Sequence, residues 1–233
     1  MKDQDGVLVE CECIKQKRKR HLFEIIGVPP RLRDMRLDNF EVNISASGAN
    51  LKPQDIERKM KAKAIVSQYI SSISDMLNGT LIRNSDGRLF NSIVLEGGNN
   101  SGKSLLSSCI AIQGVEGGNR ARIFEWSQIL DACYDFDGKE YDLMCDQMSR
   151  RDQVVIIENI EEMYEGGASQ TSFPPSVLRR LNSMFLSRWK LGIPTVVTTS
   201  QDIKKITSGR YGSALTSVIK DAIWVELPAE EGN

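Results

Sequence analysis

The sequence predicts an α/β fold in which five strands alternate with helices and pair into a parallel sheet covered on both faces. Two observations carry this expectation. A short apolar strand, Ser92 to Glu96, runs into a complete G-x-x-x-x-G-K-S phosphate loop, Gly97-Gly98-Asn99-Asn100-Ser101-Gly102-Lys103-Ser104. Leu105, Leu106, Cys109 and Ile110 then follow at helical spacing. Downstream, the apolar runs from Gln153 to Ile160, Pro194 to Thr199 and Ala222 to Glu226 are separated by segments of helix length. In such sheets a ligand sits at the carboxyl ends of the strands.

The 233 residues, 40% of them hydrophobic, suffice for a sizeable core. No apolar run approaches the ~18 residues of a membrane span, and the stretch Met1 to Asp5 lacks the layout of a signal peptide. A cytoplasmic location without membrane contact is therefore expected. Five cysteines, an odd number without regular spacing, fit reduced thiols better than a disulfide framework. A formal net charge of −1 gives no global case for nucleic-acid binding, so such contact must come from a local patch.

Residues 1 to 26 form a short basic N-terminal segment, followed from 27 to 233 by the phosphate-loop domain. The segment holds Cys11 and Cys13, then Lys15, Lys17, Arg18, Lys19, Arg20 and His21. Two cysteines are half a zinc site, and the others lie about 100 residues away, so metal is disfavoured. The basic run reads either as a contact for nucleic acid or an acidic partner, or as a solvated helix face. His21 is the single histidine, which removes most histidine-based chemistry. Gly27 to Pro30 ends the segment, and Leu32, Leu37 and Phe40 anchor an irregular connector.

A helix is predicted from Pro53, with Ile56, Met60, Ala64, Ile65, Tyr69, Ile70, Ile73, Met76 and Leu77 as its buried stripe and Gly79 as its stop. Residues 81 to 90 read as a hairpin or loop tip. After the loop helix come a turn at 117–119, a second strand from Ala121 to Glu125, and a helical stretch from Trp126 to about Met148 broken at Asp137 and Gly138. Residues 165 to 173 form a loop of small residues. Pro174 and Pro175 start a helix ended by Gly192; Val177, Leu178, Leu181, Met184, Phe185 and Trp189 are predicted to face the core, with Arg179, Arg180 and Arg188 off that stripe. The last strand is reached through a helix carrying Lys204, Lys205 and Arg210.

The phosphate loop is the strongest chemical signal. Gly97 and Gly102 permit tight turns, and the backbone N–H groups from Gly97 to Ser104, ahead of a helix N-terminus, present aligned donors to a polyphosphate. Lys103 is placed for the β and γ oxygens, and the Ser104 hydroxyl for Mg²⁺. Glu158, closing an apolar strand, is the expected Walker B carboxylate and second metal ligand, with Asn159, Glu161 and Glu162 after it. ATP and Mg²⁺ are the implied ligands. GTP is disfavoured, because no N-K-x-D motif occurs.

Several stretches together resemble the AAA+ ATPases of the DnaC and IstB type, over roughly residues 27 to 226. Gly27-Val28-Pro29-Pro30-Arg31 and Leu37-Asp38-Asn39-Phe40 are similar to the family's G-I-P-x-R and L-x-N-F entry segment. Pro194 to Ser200 resembles its P-T-I-I-T-S-N strand. The resemblance implies an AAA+ type five-stranded sheet, here without a helical lid domain because the chain ends soon after the fifth strand. It implies an entry segment beside the adenine, Ser200 at the position that senses the γ-phosphate, and Arg210 in a helix facing a neighbouring subunit. It further implies a replicative helicase or transposase as partner, contact with single-stranded DNA and a homo-oligomer formed with ATP. Asn159 stands where the family carries a second acid, so slow hydrolysis is expected. The alternatives are a non-hydrolysing ATP switch that docks a partner protein and an IstB-like transposition regulator. A small-molecule kinase is disfavoured, because residues 165 to 173 hold no basic side chain.

Overall fold

The computed structural model describes residues 11–44, 48, 50–83, 87, 91–135, 137–161, 173–200 and 211–228. Its strands are β1 (Ser92–Glu96), β2 (Arg120–Glu125), β3 (Gln153–Glu158), β4 (Thr195–Thr199) and β5 (Ile223–Glu226). They pair in parallel in the order β2-β3-β4-β1-β5. The central strands are apolar on successive residues because both faces are covered. Ile93, Leu95, Val154, Ile156 and Val196 face one cluster with helices α1 (Glu12–Ile26), α2 (Pro53–Leu77) and α3 (Lys103–Glu116). Val94, Val155, Ile157 and Val197 face the other, with α4 (Trp126–Tyr134), α5 (Lys139–Ser149), α6 (Pro175–Leu191) and α7 (Ser213–Asp221). This is the five-stranded parallel sheet with helices on both faces that the sequence predicts.

Register aligns the strand ends. Glu125 pairs with Glu158 across β2 and β3, and Glu96 with Thr199 across β1 and β4, so the residues that follow all emerge at one edge of the sheet. The break between α4 and α5 falls at Gly138, whose φ of 76° lies in the left-handed region, as the sequence suggests. Phe23 and Ile26 of α1 enter the first core cluster, while residues 12–22 of that helix are exposed.

Two helices keep most of their expected inward residues, Tyr69, Ile73 and Met76 in α2 and Val177, Leu181, Met184 and Phe185 in α6, but exchange single positions. In α2 the buried line is Lys59, Ala62, Val66, Tyr69, Ile73 and Met76, whereas Ala64 is exposed and Met60 is 58% exposed. Lys59 takes the inward place because its ammonium donates to the Ile44 carbonyl oxygen at 2.8 Å and lies over the Phe40 ring, 5.6 Å from its centroid. In α6, Trp189 is 41% exposed and Arg188 only 1%. The Arg188 guanidinium donates to the carbonyl oxygens of Met148 (2.8 Å), Gln153 (3.1 Å) and Pro194 (2.5 Å) and to Thr195 Oγ1 (2.9 Å). It thereby joins the end of α5 to the starts of β3 and β4.

All five cysteines are free thiols. Among the described residues no helix is long and apolar enough to cross a membrane. The expected loops at 84–86, 88–90 and 165–172, the helix carrying Lys204, Lys205 and Arg210, and Glu162 lie outside the described residues.

Candidate functional site: a phosphate loop facing three strand ends

The loop leaves β1 beside β4, where the Gly97 N–H donates to the Thr199 carbonyl oxygen at 3.1 Å. A Cβ on Gly97 would come within 2.6 Å of Ser101 Oγ and 2.9 Å of the Leu227 Cβ, so only glycine fits without displacing neighbours. Gly102 has a φ of 100°, and a Cβ there would lie 2.8 Å from the Phe40 ring. Phe40 of the entry segment is thus packed against the phosphate loop. Asn99 and Asn100 are exposed at the loop's tip, with Asn100 at a φ of 60°.

The chain then enters α3 through Gly102, with no side-chain cap and no acidic residue in the first turn. Such an end leaves backbone donors and the positive pole of the helix for an anion. The Ser101 hydroxyl is buried without a hydrogen-bond partner among the described residues. Lys103 is buried, and its ammonium donates to the carbonyl oxygens of Gly97 (2.6 Å) and Gly98 (2.8 Å). Burial lowers its pKa, and the charges of Glu161 and Glu158 oppose that shift.

Glu158, 3% exposed, ends β3 and accepts a short hydrogen bond from the Ser107 hydroxyl. Burial raises its pKa, helped by the charge of Glu125, while the Ser107 hydrogen bond, the nearby Ser104 hydroxyl and the charge of Lys103 act in the opposite direction. Ser104 and Glu158 therefore stand together, a hydroxyl and a carboxylate. Magnesium takes one or two carboxylates and keeps several waters, so this pair fits it. No cluster of three or more potential ligands from histidine, cysteine, aspartate and glutamate occurs among the described residues.

Beyond Glu158 the chain turns sharply. Asn159 has a φ of 56°, a conformation asparagine tolerates better than most side chains. Its N–H donates to Thr198 Oγ1 at 3.0 Å and its Nδ2 to Glu125 Oε2 at 3.1 Å. The turn sends Ile160 into the core, its N–H bonded to the Thr198 carbonyl oxygen at 3.2 Å, and swings Glu161 across β4. There Glu161 Oε1 accepts the Ser200 N–H at 2.8 Å. Ser200 itself is exposed. The structure thus gathers Gly97 to Ser104, Glu158, Asn159 and Ser200 at one edge, whereas Arg210 lies outside the described residues.

Sequence reasoning assigned no role to Ser107, Glu125 or Thr198. Ser107 sits three residues beyond Ser104 on the same helical face, and Glu125 closes β2 in register with Glu158; both relations could have been found by counting from the motifs.

No protein-family profile and no curated protein matches the sequence. Solved structures do match in fold. The crystal structure of DnaI superposes with a TM-score of 0.59 and 12% identity, over 85% of this chain and 90% of that one. The crystal structure of the DnaC helicase loader gives 0.58 and 13%, over 85% and 99%. AMPPCP-bound DnaA from Aquifex aeolicus gives 0.59 and 14%, over 86% of this chain. This chain spans only about half the length of that DnaA and of a DNA replication initiation factor that it also matches (TM-score 0.58). Fold and loop define an α/β protein that carries a phosphate loop on a five-stranded parallel sheet. Within that class, the chain has the fold of the DnaC and DnaI structures.

Proposed function

We propose that this chain is an ATP- and Mg²⁺-binding AAA+ protein of the helicase-loader kind. In this reading it acts in the cytoplasm, assembles with copies of itself through its nucleotide face, contacts single-stranded DNA and hydrolyses ATP slowly. The observation that carries the proposal is the convergence of an uncapped phosphate-loop helix, the Ser104–Glu158 pair and the Ser200 end of β4 at one sheet edge. Likeness of fold to DnaI and DnaC over nearly their whole lengths supports the loader reading.

In this account the loop N–H groups and Lys103 hold the phosphates, and Ser104 with Glu158 holds the metal, directly and through water. Mg²⁺ supplies neutralising charge to the β and γ oxygens. Asn159 can hold a water in place by accepting its hydrogen bond, but an amide is a poor proton acceptor. General-base assistance is worth ~10²- to 10⁴-fold, which is the reason for slow turnover. Ser200 reports on the third phosphate, and Arg210, outside the described residues, keeps the role at a neighbouring copy that the resemblance implies. The hydrogen bond between Asn159 and Glu125 also supports a second reading, an ATP switch that docks a partner protein without hydrolysis.

Light scattering with and without ATP·Mg²⁺ and single-stranded DNA tests the proposal. A rise in mass on adding ATP, with DNA joining the assembly, is expected. An unchanged monomer that ignores both would contradict it.

A further inference from the structure

Glu161 is an acidic side chain in a place suited to an anion. The sheet order puts β4 between β3 and β1, so the residue after β4 stands next to the phosphate loop. Asn159 turns the chain through the left-handed region and Ile160 anchors it in the core, which delivers Glu161 to that spot. Its Oε1 takes the Ser200 N–H at 2.8 Å. Its Oε2 is buried without a hydrogen-bond partner among the described residues. Of the charges that act on the Lys103 ammonium, that of Glu161 is felt most, ahead of Glu158. The carboxylate therefore engages the β4-end amide and the field of the loop lysine.

Resting on the nucleotide reading above, we infer that Glu161 is a specificity-determining residue that sets the site against a third phosphate and so favours nucleoside diphosphate over triphosphate. Like charges a few ångströms apart in a half-buried site repel strongly, because solvent screens them poorly. A diphosphate held by the loop stops short of the β4 end and escapes this repulsion. A triphosphate must push Glu161 off the Ser200 amide or bind beside it at a cost in affinity. The residue thereby acts on how many phosphates the site accepts, not on whether nucleotide binds.

Calorimetric titration of ADP and of AMPPCP, each with Mg²⁺, into the full chain and into Glu161→Gln and Glu161→Asp variants tests this. Glutamine keeps an acceptor for the Ser200 N–H while removing the charge. AMPPCP is expected to bind Glu161→Gln about tenfold or more tightly than the parent, ADP to change less than about twofold, and Glu161→Asp to stay close to the parent. An unchanged ratio of the two affinities in Glu161→Gln would overturn the inference while leaving the nucleotide site intact. ATP turnover lost at that unchanged ratio would make Glu161 a proton acceptor instead, which also overturns it. Failure of either nucleotide to bind any of the three proteins would remove the nucleotide reading and this inference together.

Discussion

Arg188 shows how far a single side chain can hold elements together. Its guanidinium is buried against three carbonyl oxygens and a threonine hydroxyl, and burial pushes its pKa down to about 9, which still leaves it charged at neutral pH. Replacing it with methionine would fill much of the volume but leave the Met148, Gln153 and Pro194 carbonyls short of donors. A loss of roughly 3 kcal/mol is expected in urea denaturation for Arg188→Met, with Arg188→Lys also destabilised because one ammonium cannot span the same acceptors. A variant as stable as the parent would contradict this role. The sequence reading placed Arg188 outside because arginine is seldom buried. Its spacing already put it on the inner stripe, seven residues from Leu181 and four from Met184.

Asn159 poses the second question at this scale. Its amide donates to Glu125, so Asn159→Asp would set two carboxylates against each other and raise the proton affinity of the pair. Turnover at saturating ATP is expected to rise on the order of tenfold or more in Asn159→Asp. Asn159→Glu should gain less, because its longer side chain fits the left-handed backbone poorly. Adding Glu125→Gln to Asn159→Asp restores the hydrogen bond with donor and acceptor exchanged, and the gain should persist. Unchanged slow turnover in both single variants would show that residue 159 is not at the water.

At the scale of elements, α1 separates a packed end from a charged body. Phe23 and Ile26 seat its last turn, and Gly27 closes it in the left-handed conformation, while Lys17 to Arg20 stay exposed. Lys19 lies 3.5 Å from Glu116, a surface pair of small energetic weight. Reversing Lys17, Arg18, Lys19 and Arg20 to glutamate is expected to weaken DNA binding and flatten its salt dependence, since each lost phosphate contact releases fewer counterions. Binding by filter retention across a salt series checks this; identical slopes in parent and variant would assign the run to solvent or a protein partner. Elements with sharp punctuation were legible in the sequence. Gly138 marks the α4–α5 break, and Pro175 and Gly192 bracket α6. The N-terminal half of the α2 face was not, because apolar residues on several sides let Met60 stand in for the inward-reaching Lys59.

For the whole molecule, the alternation of apolar runs with helices dictated a parallel sheet, and the phosphate loop marked its functional edge. The strand order was not legible, because pairing depends on contacts distant in sequence. Yet it decides which side chains meet: with β4 between β3 and β1, Glu161 reaches the Ser200 amide beside the loop, and Glu125 meets Asn159 two strands away from it. Phe40 against Gly102 is another long-range contact that joins the entry segment to the phosphate loop. Everything proposed for this edge depends on nucleotide being held there. The most direct measurement is calorimetric titration of ATP·Mg²⁺ into the parent chain and into Lys103→Ala, with circular dichroism confirming that both are folded. Saturable one-to-one binding is expected for the parent and is abolished or severely weakened in the variant, because Lys103 supplies the fixed positive charge at the β and γ oxygens. Equal affinity in the two proteins, or no binding by the folded parent, would contradict it.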